Sequence, residues 1–140
     1  MADTGAPEGP SRAPAADVGL DEFLARDDTP EELDVLVEAA LERNARDGLI
    51  LDLRGLSDAT DFFVLLSGDS DVHARAIARN IEEKMEEAGF EAAGVEGEGQ
   101  GRWVLLDYFD LVVHVFLPRV RDYYKLERLW GDAPRVEFGE

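Results

Sequence analysis

Residues 61–89 read DFFVLLSGDSDVHARAIARNIEEKMEEAG, and the change of hydrophobic period inside this stretch decides the fold class. Asp61 to Ser67 is a short run rich in Phe, Val and Leu, of strand length. Ser67-Gly68-Asp69-Ser70-Asp71 then supplies turn chemistry. Beyond it Val72, Ile77, Ala78, Ile81 and Met85 share one face of a helix, Glu82, Glu83, Glu86 and Glu87 form its wet side, and Gly89 stops it. A strand running directly into an amphipathic helix predicts an α/β domain.

Working toward the amino terminus, Leu49 to Leu53 is a second strand-like run, separated from the first by the turn-prone Arg54 to Thr60. Before it, Thr29-Pro30-Glu31-Glu32 offers a capping hydroxyl, a proline at the first helical position and a capping-box acid. Leu33, Leu36, Val37, Ala40 and Leu41 continue that helix as one buried stripe, with Gly48 as its stop. Toward the carboxyl terminus, Phe90 to Val95 is a weaker strand, and Glu96 to Gly101 is a loop with three glycines in six residues. Arg102 to Asp107 and Leu111 to Leu117 form a strand pair joined at Tyr108-Phe109. Pro118 opens a last helix with Val120, Tyr123, Leu126, Leu129 and Trp130 on its apolar side, closed by Gly131. The order predicts a single mixed, roughly five-stranded sheet flanked by helices. The domain is expected to span residues 29–133, between a disordered acidic tail at 1–28 and a short tail at 134–140. Leu20, Phe23 and Leu24 are the one place in the first tail able to form a docking turn.

The chain has 140 residues and a net charge of -18, from 32 acids against 14 bases, so a partner met electrostatically should be basic. Cysteine is absent and histidine occurs only at His73 and His114, which excludes disulfides, thiol nucleophiles and Cys/His zinc sites. The longest apolar runs fall far short of the roughly 20 residues that cross a bilayer, and the first residues lack the pattern of a secretory signal. The expectation is a soluble cytoplasmic protein without a membrane partner.

Two features suggest chemistry. The Ser67 to Ser70 turn before a helix, with Asp52, Asp61, Asp107 and Asp110 near strand ends, is conceivable as a magnesium-dependent nucleotide site. Against it, Leu49 to Asp71 holds Arg54 as its only base, and Ser70 or Asp71 is more simply a helix cap. His114 lies in a strand with no identifiable nucleophile to serve and reads as a structural, hydrogen-bonded histidine. His73 reads as exposed. Alternation places Trp103, Leu105 and Asp107 on one strand face and Val104 and Leu106 on the other. If Val104 and Leu106 meet the helices, Trp103 lies on the less covered face as a binding anchor; the other reading makes it core. Tyr124 falls off the apolar side of the last helix and reads as a surface residue. Arg119, Arg121, Lys125 and Arg128 interleave with aromatics there, a nucleic-acid signature that the overall charge opposes.

Several stretches together resemble the ribosomal silencing factor, or iojap-like, family: SDATDFFVLLSG at 57–68, Val95-Glu96-Gly97 followed by WVLLD at 103–107, DLVVHVF at 110–116 and RDYYKLERLWGD at 121–132. The resemblance covers about residues 31–133. It implies an α/β domain of nucleotidyltransferase-like architecture without an established catalytic role, hence no enzyme, no cofactor and no metal. It further implies binding to the large ribosomal subunit through its fourteenth protein, blocked subunit joining and silenced translation under starvation. Trp103 becomes the favoured contact, with Glu96, Leu105, Asp107 and Tyr124 as secondary ones. The alternatives kept open are a metal-dependent nucleotide-processing enzyme and a large-subunit maturation factor. A homodimer off the ribosome would hide the apolar face. One departure is Phe109, where many relatives have glycine, so a different turn geometry is expected there.

Overall fold

The computed structural model describes residues 19–140, and the expected disorder of residues 1–18 lies outside them. The chain runs through α1 (Leu20–Leu24), α2 (Glu31–Glu42), β1 (Arg46–Asp52), β2 (Phe62–Ser67), α3 (Asp71–Glu87), β3 (Gly94–Glu96), β4 (Trp103–Asp107), β5 (Leu111–Phe116), α4 (Pro118–Tyr124), a 3-10 segment (Leu126–Trp130) and β6 (Arg135–Phe138). One mixed sheet has the order β3-β4-β5-β2-β1-β6. Among the described residues only β2 and β5 pair in parallel, with Leu65 opposite His114; the other pairings are antiparallel.

The central strands FFVLLS and LVVHVF are apolar on both faces because both faces are covered. Phe62, Val64, Leu66, Val104, Leu106, Val113 and Val115 meet α2 and α3 through Leu33, Leu36, Val37, Ile77, Ile81 and Met85. On the opposite face Leu49, Leu51, Leu65 and Phe116 form a smaller cluster, packed by half-buried Val120, Leu126 and Trp130. Burying each such large side chain contributes about 1.5–3 kcal/mol, so the helical layer on the first face holds most of the stability.

The sheet has a sixth strand that the expected tail at 134–140 did not include. Arg135–Phe138 pairs with β1 and turns Val136 and Phe138 inward. Gly48, expected to stop the preceding helix, lies inside that pairing instead: a Cβ there would meet the Phe138 ring at 2.6 Å. α2 ends earlier, where Asn44 turns the backbone left-handed at φ 58°. At the other boundary, Phe23 is 2 % exposed and packs edge-on against Phe62, so the ordered domain reaches back to α1. The Thr29 hydroxyl donates to the Phe23 carbonyl at 2.7 Å, and no side chain caps α2; the expected capping box is absent.

The last helix is also shorter than its periodicity predicts. Lys125 adopts φ 48°, breaking the run into α4 and the 3-10 segment, and this rotates Tyr123 and Leu129 out to 79 % and 71 % exposure. Val72 and Leu41 are likewise exposed rather than buried. Phe109 keeps the backbone of a glycine, φ 70°, rather than a different turn, and the β4–β5 register is unbroken around it. Asp107 Oδ1 accepts the Phe109 N–H at 2.8 Å and holds the turn.

Two consequences are measurable by urea denaturation. Phe109→Gly relieves the left-handed backbone and is expected to raise stability by about 1 kcal/mol, whereas a loss of similar size would mean that the exposed ring makes contacts of its own. Deleting residues 134–140 uncovers Val136 and Phe138 partners and is expected to lower stability by about 3–5 kcal/mol; an unchanged midpoint would show β6 to be dispensable.

Candidate functional site

Cross-strand register sets out the less covered face of the sheet row by row. Glu96, Leu105, His114, Leu65 and Leu49 stand side by side across five strands; Trp103 and Phe116 form the next row, and Asp107, Val112, Phe63 and Leu51 the row on the other side. Val104 and Leu106 are buried against the helical layer, so Trp103, Leu105 and Asp107 take the opposite face, each half-buried. α4 and the 3-10 segment shield the β1–β2–β5 part of this face and leave its β3–β4 end more open.

Trp103, Glu96, Leu105 and Asp107 therefore share one face, and Tyr124 arrives from α4 with its ring 4.9 Å from the indole. Tyr124 is 54 % exposed, as its helical position predicted. Asp107 is partly committed elsewhere, since one of its oxygens holds the Phe109 turn. Gly97 is required by close approach: at φ 81° its added Cβ would run into the Trp103 carbonyl. The 97–101 loop is tied to α3, with Arg75 donating to the Gly99 carbonyl at 3.2 Å and Arg79 lying 3.7 Å from Glu98. Burial and the neighbouring Glu98 carboxylate push the Glu82 carboxyl of α3 up to about 7.

The residue that the spacing did not connect to this site is His114. Its Nδ1 accepts the Trp103 Nε1–H at 3.1 Å, its ring stacks parallel to Phe116, and Phe63 packs edge-on at 4.8 Å. An accepting Nδ1 fixes the Nε2–H tautomer, and Nε2 is buried with no hydrogen-bond partner among the described residues. At 4 % exposure, burial pushes the imidazole down to about 4, so it remains neutral and remains an acceptor at physiological pH. The pairing of Leu105 with His114 was the available signal, because strands in that register put His114 diagonal to Trp103 on the same face.

The features read as chemical are used internally. Ser70 Oγ accepts the His73 N–H at 3.1 Å and caps α3. An added Cβ on Gly68 would strike the Ala74 backbone at 2.8 Å, so this glycine serves strand–helix packing. His73 is less exposed than expected: Nδ1 accepts the Asp69 N–H at 2.8 Å and Nε2 lies 2.7 Å from the Arg43 carbonyl. Asp52 forms a two-pronged pair with Arg54 at 2.8 and 3.0 Å. Topology brings the strand ends bearing Asp52, Asp61, Asp107 and Asp110 to one end of the sheet, but no group of three metal-ligating side chains occurs among the described residues. No helix among them is long and apolar enough to cross a membrane.

The fold and this face define a small α/β domain whose exposed features suit surface recognition. The family described as "Ribosomal silencing factor during starvation" matches residues 26–140, and the chain belongs to that family. The Bacillus subtilis ribosomal silencing factor RsfS is 44 % identical over 105 residues, which are 75 % of this chain and 89 % of the relative. A Chromobacterium violaceum crystal structure superposes with a TM-score of 0.71 at 40 % identity, covering 72 % of this chain and 84 % of that one. A mouse protein named for mitochondrial assembly of the ribosomal large subunit is 29 % identical over 102 residues, covering 71 % of this chain and 45 % of the relative.

The depressed His114 pKa has a definite sign. Below about 6.5 the unfolded chain binds a proton that the folded chain refuses until about 4, so this contribution to stability is present above 6.5 and lost as pH falls between those values. Relative to His114→Gln, which cannot titrate there, the native chain should lose about 3 kcal/mol between pH 7 and pH 4. Parallel pH profiles for the two proteins would contradict a buried neutral imidazole.

Proposed function

We propose that this chain is a ribosomal silencing factor of the cytoplasm. It binds the large ribosomal subunit through that subunit's fourteenth protein and prevents joining of the small subunit by occupying the joining surface, with no catalytic turnover. Repression of translation under starvation follows from that exclusion. The observation that carries this reading is the half-buried Trp103 indole, oriented by His114 on the more open end of an apolar sheet face within a chain of this family. A preoriented tryptophan loses little conformational freedom on docking and is a common interface anchor. Leu105 extends its apolar contact, while Glu96, Asp107 and the net charge of -18 favour a basic ribosomal protein over the RNA phosphates around it. Off the ribosome, two copies can cover the same face in a homodimer.

The name of the mouse relative favours a second reading, in which the same contact assists large-subunit assembly. The two readings share a surface and differ in when it is occupied.

Co-sedimentation with separated subunits, followed by a joining assay on the same fractions, tests the proposal. The native chain should pellet with the large subunit alone and block joining. Trp103→Ala should weaken binding by on the order of tenfold or more while the chain stays folded. Binding without any block of joining would favour the assembly reading, and undiminished binding by a folded variant would remove Trp103 from the interface.

A further inference from the structure

A groove of about 730 Å³ opens beside Trp103, between the start of β4 with its preceding loop and one side of α4 from Arg119 to Tyr124. Its walls combine three exposed or half-exposed aromatic rings with two arginines. Trp103 and Tyr124 lie 4.9 Å apart, tilted by 48°, and Tyr123 meets Tyr124 edge-on at 5.0 Å. Arg102 and Arg119 line the same groove, and neither has a carboxylate partner among the described residues. The one acid in the lining, Asp122, is paired with Lys125 at 2.9 Å. Within an acidic molecule this is a locally cationic spot, and at physiological ionic strength charges more than about 8 Å away are largely screened from it.

We infer that this groove is a binding site for a single nucleotide, with the base against the Trp103 and Tyr124 rings and the phosphate on the Arg102 and Arg119 guanidiniums. The chemistry selects that class. Purine and pyrimidine faces stack on indole and phenol rings whatever their edge pattern, and guanidinium forks match phosphate oxygens two at a time. The groove's volume lies within the range of small-ligand sites. The net charge of -18 limits the ligand to one unit: a long phosphate chain leaving the groove would run over acidic surface. The hydrogen bond from Trp103 to His114 fixes the indole plane beforehand, so the stacking surface is present before the ligand arrives. The base comes either from a free nucleotide or from an unpaired residue of RNA, and the same contacts serve both.

The test uses the whole chain, isotope-labelled, and follows the indole N–H signals by NMR. Trp103→Phe assigns the Trp103 signal, leaving Trp130 as an internal control. ADP without magnesium, a five-residue oligoadenylate and inorganic phosphate are titrated in turn to several millimolar. Either nucleotide probe should move the Trp103 signal and leave Trp130 in place, and the exposed double substitution Arg102→Ala, Arg119→Ala should weaken binding by on the order of tenfold. ADP binding at least as tightly as the oligonucleotide identifies a free nucleotide as the source, whereas a tenfold preference for the oligonucleotide identifies an RNA residue and overturns the limit to one unit. The inference fails if neither nucleotide moves Trp103, if phosphate alone reproduces the shift, or if the folded double variant binds equally well. No ribosome enters this experiment, so its failure leaves the docking proposal untouched, and failure of subunit binding leaves this result standing.

Discussion

The parallel pairing of β2 with β5 is the constraint on which the rest of the molecule depends. Parallel neighbours cannot be joined by a tight turn, so the chain leaves β2 through α3 and returns by way of β3 and β4 before entering β5. That excursion places α3 against one face, where α2 joins it, and commits the buried halves of β4 and β5 to the same side. The remaining halves, carrying Trp103, Leu105 and His114, are left on the other face, which α4 shields only in part. The register Leu65 to His114 to Leu105 thus ties the sheet's centre to the site.

Two polar side chains around that face, His114 and Arg121, have defined duties. His114 surrenders its charge to burial and in exchange orients an indole. Arg121 reaches inward from α4 to the Asp47 carbonyl at 2.6 Å and Ser67 Oγ at 2.9 Å, which clamps α4 onto the bulged start of β1 and the end of β2. α4 buries none of its own residues completely, so its position rests on this long-range hydrogen bonding together with the packing of half-buried Val120. Tyr124 stands beside Trp103 because of that clamp.

Legibility in the sequence followed the strength of the periodic signal. The stripe of α3, its Ser70 cap and the opposed faces of β4 were readable because each depends on local chemistry or on strict alternation. The edge strand β6 was not, since four residues with two apolar side chains are indistinguishable from a tail until β1 supplies a partner. The turn role of Gly48 is overridden by the distant Phe138, and the capping role of Thr29 by the Phe23 carbonyl at the end of the preceding helix. Phe109 shows the converse. The turn kept its left-handed residue although the sequence offered no glycine, because the flanking ladder and the Asp107 carboxylate impose it. Alternation alone put Trp103, Leu105 and Asp107 on one face, whereas Glu96, Tyr124 and the histidine beneath them required the β3–β4 pairing, the seat of α4 and the β4–β5 register.

The two outer strands of the sheet are its shortest: β3 has three residues and β6 four, each carrying outward charge such as Glu96 or Glu137. Unpaired strand edges are the usual templates on which crowded chains zip into fibrils. A template of so few rungs gives an incoming strand little to grip. The protein can therefore leave an apolar sheet face half open for recognition while keeping its margins resistant to self-assembly, which separates reversible association through the face from runaway growth along the edge.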